Sequence, residues 1–328
     1  MGVEVSQISQ YMYRYYHYKA CCIEPVKGGT VGETYAIDGK YFLKLYDSRL
    51  AITPRCIAAL PEQLAVLDKL YRTSALADRI CHPIPTVQGA LFFAHHLITG
   101  VLFNLIPGAA VGYGNAYSNE ELRQLAAIVK DLHAVDIGPY EKLCPKEEYD
   151  LRFCVRLQQM MQTIVEDGGG FPEPFCQAAR QYYGVLVSQI QHTQKLAQLL
   201  KKKELPFVLC HTDIHGGNVM RDPKGKLYLI DWENVILAPK EADLFSFYEE
   251  DYFPLFAQSV EKEAITYYIT RRDLEDIWEF YRSLQNGEYE EPEQQEVLGH
   301  VTRIFAHLRA AKYEEQEHIF AREPGPRT

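Results

Sequence analysis

Paired cysteines, long apolar runs, an excess of positive charge and internal repeats are all missing from this chain of 328 residues. Its eight cysteines, at positions 21, 22, 56, 81, 144, 154, 176 and 210, form no Cys-x-x-Cys pair. A chain of this size builds its own core without covalent staples, so reduced thiols in a cytosol are expected. No apolar run approaches the ~20 residues of a membrane-spanning helix. The start, MGVEVSQ, carries no secretory signal. A cytoplasmic protein with no membrane partner is therefore expected. The formal net charge of −10 argues against nucleic acid and anionic membranes, and favours a cationic small molecule. What remains is 47% apolar and 24% charged, ordinary for a globular protein.

The chain falls into a β-rich beginning and a helical remainder. Residues 1–20 read as a tyrosine-rich helix, with YMYRYYHY as a packed face. Residues 21–46 read as strands, and Asp38-Gly39 in ETYAIDGKYFLKLY is a hairpin turn signal between two β-rich arms. Thr53 is a fair N-cap with Pro54 behind it, and Pro61 breaks or restarts that helix. Residues 87–106 read as two more strands. From Ser118 the pattern turns helical: Ser118 and Glu121 form a capping box, and Leu122, Leu125, Val129 and Leu132 form one stripe. Helices are also expected over 147–166 and 174–203, joined by a glycine bend at 168–170, and again after residue 240. A short β interlude at 207–231 interrupts them.

That interlude begins with VLCHTDIHGGNVM, residues 208–220, and continues MRDPKGKLYLIDW. Pro223-Lys224-Gly225 is a turn and KLYLI a strand. A hairpin closing near Lys224-Gly225 sets Asn218 opposite Asp231, give or take a residue or two of register. Asp213 stands in the loop just before. Two carboxylates and a carboxamide oxygen are hard ligands that suit Mg²⁺. A zinc site on His211 and His215 is a weaker reading, because the pair lies in a loop and no cysteine pair accompanies it. A crowded polar turn is the bland reading. It leaves unexplained why Asp213 and Asn218 stand five apart and why Asp231 follows a strand.

HTDIHGGN followed by LIDW resembles the catalytic loop and metal-binding segment of the protein-kinase-like fold, in the form used by the aminoglycoside phosphotransferase family. The run DWENVILAPKEADL looks most like the spectinomycin phosphotransferase branch. The resemblance implies an α+β, bilobal protein-kinase-like fold. It would have a small antiparallel β-rich N-lobe over residues 1–104, binding nucleotide, and a larger, mainly helical C-lobe over 105–328, for catalysis and substrate. It implies that Asp213 is the base or positioner and that Asn218 and Asp231 hold Mg²⁺.

Carried onto the N-lobe, the resemblance gives Lys44, inside YFLKLY, to the phosphates of ATP or GTP. An ammonium in an apolar strand is costly unless an anion meets it. Glu62 is the expected partner, with Glu33 second and Asp68 a poor third. The bend with Gly28, Gly29 and Thr30 falls where the family covers phosphate with backbone N–H groups. The link near Phe103, Asn104 and Leu105 would pair with the purine edge. His211 and Asp243 are read as shaping and bracing the catalytic loop, and His215 is ambiguous. The triplet is Asp231-Trp232-Glu233 rather than Asp-Phe-Gly, residue 212 is Thr rather than Arg, and no Ala-Pro-Glu segment follows. A small-molecule substrate fits these departures better than a protein. Glu249, Glu250 and Asp251 in SFYEEDY are candidate contacts for a cationic acceptor, an aminoglycoside or an aminocyclitol such as spectinomycin. A metabolic kinase of the same fold, acting on choline, homoserine, a thiosugar or a ketosamine, is the alternative. A non-catalytic kinase-like binding protein is the third reading, and the intact Lys44, Asp213, Asn218, Asp231 set argues against it.

Overall fold

The structure is a computed structural model that describes residues 3–26, 32–50, 53–112 and 117–320, with side chains of the last helix described to residue 310. Helix α1 (Val5–Tyr16) starts at a capping box between Glu4 and Gln7 and ends at His17 in the left-handed conformation. Strands β1 (Ile23–Pro25), β2 (Glu33–Ile37) and β3 (Tyr41–Asp47) follow. Asp38 and Gly39 turn β2 into β3 with φ of 51° and 61°, and Lys40 N–H closes the turn on Ile37 O at 3.0 Å. That is the primed hairpin turn whose twist matches the strands. Helix α2 (Thr53–Thr73) comes next, then β4 (Phe93–His95) and β5 (Ile98–Asn104). The five strands form one antiparallel sheet in the order β1-β2-β3-β5-β4.

The period of two along β3 sends its residues to opposite faces. Leu43 and Leu45 join Tyr35, Ile37, Phe93 and Leu102 beneath Ile8, Tyr11 and Met12 of α1. The tyrosine-rich helix is thus a packed face, with Tyr15 stacked on Phe93 at 4.4 Å. Tyr46, on the other face, packs with Leu60, Leu64 and Val101. Lys44 shares that second face. The break expected at Pro61 does not occur: α2 runs on through it. Proline removes one N–H donor there, and the buried Leu60 and Leu64 anchor the helix on both sides of the gap.

Strand β6 (Ala109–Ala110) leads to α3 (Asn119–His133), which has the expected Ser118–Glu121 capping box and the expected buried stripe. Helices α4 (Arg152–Asp167) and α5 (Glu173–Lys203) are joined through Gly168, Gly169 and Gly170, all at positive φ. Strand β7 (Phe207–Cys210) then opens the interlude, with β8 (Val219–Arg221), β9 (Leu227–Leu229) and β10 (Ile236–Pro239) behind it. Residues 236–239 lie beyond the interlude expected from sequence. The stretch is four residues long, ends in proline and shows no alternation, and it becomes a strand by pairing with β7. β6, β8 and β9 make a three-stranded sheet. Helices α6 (Glu241–Leu244), α7 (Lys262–Gln285) and α8 (Glu291–Phe320) complete the chain.

Two compact units result. One holds Met1–Lys146 with Pro206–Gln258, and the other Glu147–Leu205 with Ser259–Thr328. In the second unit α5 is the central helix, with Gln189 donating to Leu308 O at 3.0 Å and Tyr182 stacked on Phe305 at 5.0 Å. No described helix is long and apolar enough to cross a membrane. Every expected site residue that the structure describes lies in the first unit.

Candidate active site

β7 is apolar and paired, so it fixes the point at which the chain enters the loop. His211 is fully buried, and its Nε2–H donates to Ile230 O at 3.0 Å. Burial keeps its pKa below the ordinary histidine value, with Asp243 opposing. The ring stands edge-on to Trp232 at 4.9 Å. His211 thus ties the loop to the hairpin. The backbone N–H groups of His211 and Thr212 donate to the Asp243 carboxylate at 3.2 and 2.6 Å. Thr212 takes φ +67°, the left-handed region that β-branched residues avoid. Asp243 thus braces the loop from below.

Asp213 follows, and Asn218 Nδ2 donates both to its backbone O and to its Oδ2, each at 3.0 Å. Only the amide nitrogen can donate to two oxygens, so the carboxamide oxygen of Asn218 is turned the other way. His215 lies between them. Gly217 N–H donates to its Nδ1 at 3.0 Å, and its Nε2 lies 3.2 Å from Asn218 Nδ2 and 3.5 Å from Asp213 Oδ2. The sequence left this histidine ambiguous; the structure places it beside the Asp213 carboxylate. His211 and His215 share no cluster of three or more metal-ligating groups among the described residues.

The hairpin closes one residue from its expected register. Val219 pairs with Leu229, and Ile230 N–H donates to Asn218 O at 3.0 Å, so Asn218 faces Ile230 rather than Asp231. Asp231 comes next and departs from the strand, with φ 65° and ψ 64°. A non-glycine residue held there costs about 1–2 kcal/mol. Solvent reaches its side chain, yet the walls around it still desolvate it. This desolvation and then the charge of Glu233 raise its pKa, with Lys44 opposing. Asp213 adds to the same repulsion. Glu233 and Asp231 beside one ammonium, with Asp213 near enough to act on Asp231, leave a local surplus of negative charge. Together with hard oxygen donors on Asn218 and Asp231, that surplus fits a divalent cation such as Mg²⁺.

The ammonium is Lys44. Its Nζ meets Glu233 Oε1 at 2.5 Å, and Tyr46 Oη donates to the same oxygen at 3.2 Å. Burial pushes the Lys44 pKa down, but Tyr46 and Glu233 outweigh it and the net shift is upward. Gln63 Nε2 holds the Glu233 backbone O at 2.7 Å. Glu62, the partner expected from sequence, is exposed instead. Its neighbour Gln63 occupies the inward position of α2, and one residue along a helix turns a side chain by about 100°. Glu33 pairs with Leu45, on the other face from Lys44, and accepts from Tyr35 Oη at 2.6 Å. Asp68 holds Arg72 at 2.8 Å. Glu233 was missed because it is 189 residues from Lys44, and its only signal was a place two residues after Asp231.

The remaining expected residues divide. Gly28, Gly29 and Thr30 lie outside the described residues. Phe103 pairs with Phe42 in the sheet, Asn104 N–H donates to His82 O and Leu105 N–H to Lys40 O. The amide N–H groups of 104 and 105 are thus engaged within the protein. Glu249, Glu250 and Asp251 are exposed, on a turn just after Ser246, whose hydroxyl donates to Ile214 O at 3.4 Å. Cys81, not singled out by sequence, borders the site: burial pushes its thiol up to about 12, with Asp231 adding and Lys44 opposing.

An antiparallel sheet carrying a lysine, a braced loop carboxylate and an amide–acid hairpin together define a kinase-like class of protein. Comparison with known families agrees: the model described as the phosphotransferase enzyme family, APH, matches residues 23–284, and the chain belongs to that family. Among solved structures it is similar to spectinomycin phosphotransferase APH(9)-Ia in complex with ADP and spectinomycin. The two share 20% identity at a TM-score of 0.75, covering 95% of this chain and 99% of that one. APH(2″)-IIIa with GDP and kanamycin gives 11% identity and a TM-score of 0.63, covering 94% and 99%. An aminoglycoside phosphotransferase from Alicyclobacillus acidocaldarius gives 13% and 0.58, covering 97% and 98%. These likenesses establish the protein-kinase-like α+β fold. Comparison with curated protein sequences gives no match.

Proposed function

We propose that this phosphotransferase moves the γ-phosphoryl group of ATP or GTP to a hydroxyl of a small cationic acceptor, an aminoglycoside or an aminocyclitol such as spectinomycin. The observation that carries the reading is the meeting of Lys44 with Glu233, two residues beyond Asp231 and across 189 positions of sequence. It brings the Lys44 ammonium to the hairpin that carries Asn218 and Asp231. The β-rich part, residues 1–104, would bind nucleotide, with Gly28, Gly29 and Thr30 over the phosphates; residues 105–328 would supply catalysis and the acceptor site. Lys44 turns from Glu233 to the phosphate oxygens of the nucleotide. Asn218 and Asp231 would hold Mg²⁺, which when bound would neutralise phosphate charge. Asp213 orients the acceptor hydroxyl and takes its proton as the acceptor oxygen bonds to the γ-phosphorus and the bond to the β-phosphate bridging oxygen breaks. Most of the rate comes from positioning and charge neutralisation. An acceptor carrying ammonium groups suits the exposed acids Glu249, Glu250 and Asp251, and the similarity to spectinomycin phosphotransferase points the same way.

The test is nucleotide consumption over a panel of aminoglycosides, spectinomycin, choline, homoserine and sugars, with Asp213→Asn as control. Acceptor-dependent turnover with an aminocyclitol or aminoglycoside, lost in the control, is expected. Turnover with choline, homoserine or a sugar alone would move the protein to the metabolic kinases of this fold. Consumption indifferent to both acceptor and Asp213 would remove the reading.

A further inference from the structure

The last residue of α3, His133, reaches the underside of the catalytic loop. Its Nε2 lies 2.8 Å from Asp243 Oδ2, with the Asp243 side chain wholly buried. Asp243 Oδ2 can only accept, so the imidazole carries its proton on Nε2 and donates. A buried carboxylate is costly unless donors surround it. Asp243 meets two backbone N–H groups of the loop on one side and this imidazole on the other. Cys210 is close by, and the ligating atoms of His133, Cys210 and Asp243 lie within 4.8 Å of one another. That spacing would also suit a soft metal. The donors and acceptors are matched without one, however: the thiol is directed at Ala238 O and Pro239 O at 3.6 and 3.5 Å, and the carboxylate is taken up by N–H groups.

We propose that His133 is a positioning residue for the catalytic loop. Through Asp243 it fixes the amides of His211 and Thr212, and so the place of Asp213. The inference rests on the proposed phosphotransfer for its kinetic consequence but not for its structural one. Thr212 holds a strained left-handed backbone directly before Asp213, and such a residue persists only where its surroundings over-determine it. The Asp243 carboxylate does this for Thr212, and His133 does it for Asp243.

Three variants separate positioning from core filling. His133→Leu keeps bulk and removes the donor. His133→Gln restores an N–H near the place of Nε2, and His133→Asn carries one that falls short. Hydrogen exchange at the amides of His211 and Thr212 reads the brace without turnover. Exchange is expected to quicken in the Leu and Asn variants and to stay near wild type in the Gln variant. With an active acceptor, kcat is expected to fall about 10- to 100-fold in Leu and Asn, the loss that a small misplacement brings. The nucleotide KM should stay within about twofold, as for an interaction that acts on the transition state alone, and Gln should recover most of the rate. Unchanged exchange in His133→Leu, or a Gln variant no better than Leu, would overturn the inference. A wild-type protein that phosphorylates no acceptor would remove the proposed function instead, and the exchange result would still decide what His133 does.

Discussion

Replacing Asp213 by Asn exchanges a proton acceptor for a neutral amide of nearly the same shape. Asn218 Nδ2 also bonds the backbone O of residue 213, so the loop keeps a tie that the substitution does not touch. We expect kcat to fall about 10²- to 10⁴-fold, the usual contribution of a positioned base, with an unchanged melting temperature. Glu233→Gln tests a different matter. It keeps an acceptor for Tyr46 but leaves the mostly buried Lys44 ammonium without its nearest counter-charge. A loss of about 1–3 kcal/mol is expected from thermal or denaturant unfolding, the cost of leaving a buried donor poorly matched. At this scale the sequence offered Asp213, Asn218 and Asp231 as candidates within one short segment, and the family resemblance added Lys44. It could not name Glu233, since an ion pair between residues 44 and 233 has no local pattern.

Strand pairing at β6 shows how elements hold the site. Ala109 and Ala110 pair with Arg221 and Met220, Val111 N–H donates to Val219 O, and Gly112 N–H donates to Gly216 O at 2.8 Å. The segment leaving the five-stranded sheet is thereby zipped to the loop that carries Asp213 and to its hairpin. Gly108 makes the approach possible: its φ is +109°, and a Cβ there would lie 2.0 Å from Arg221 O. Gly108→Ala meets a forbidden backbone region and a carbonyl that cannot swing away, so a destabilisation of about 1–3 kcal/mol is expected, read as a lower urea midpoint. The helices and the hairpin turns were legible because caps and turn residues act within a few positions. Strands β6 and β10 were not, because short strands with no alternation exist only through the partners they find.

For the whole molecule, nucleotide binding links the site to global stability. At about one hundred times its Kd, a Mg²⁺-nucleotide complex stabilises a folded protein by about 2.7 kcal/mol. The melting temperature of the wild-type protein should rise with ATP or GTP and Mg²⁺, and Asp231→Asn should blunt the rise; an equal rise in that variant would argue against a metal role for Asp231. By itself the sequence showed a β-rich beginning, a helical remainder and the hairpin after Asn218, since periodicity and turn chemistry are properties of neighbours along the chain, and its resemblance to the phosphotransferase family supplied the fold class and the candidate roles of Lys44, Asp213, Asn218 and Asp231. The tertiary structure alone decided which acid meets Lys44, where the hairpin register falls, and that His133 stands behind Asp243. Those facts depend on packing between stretches far apart in sequence, where burial and charge select one partner among several that the residue types allow.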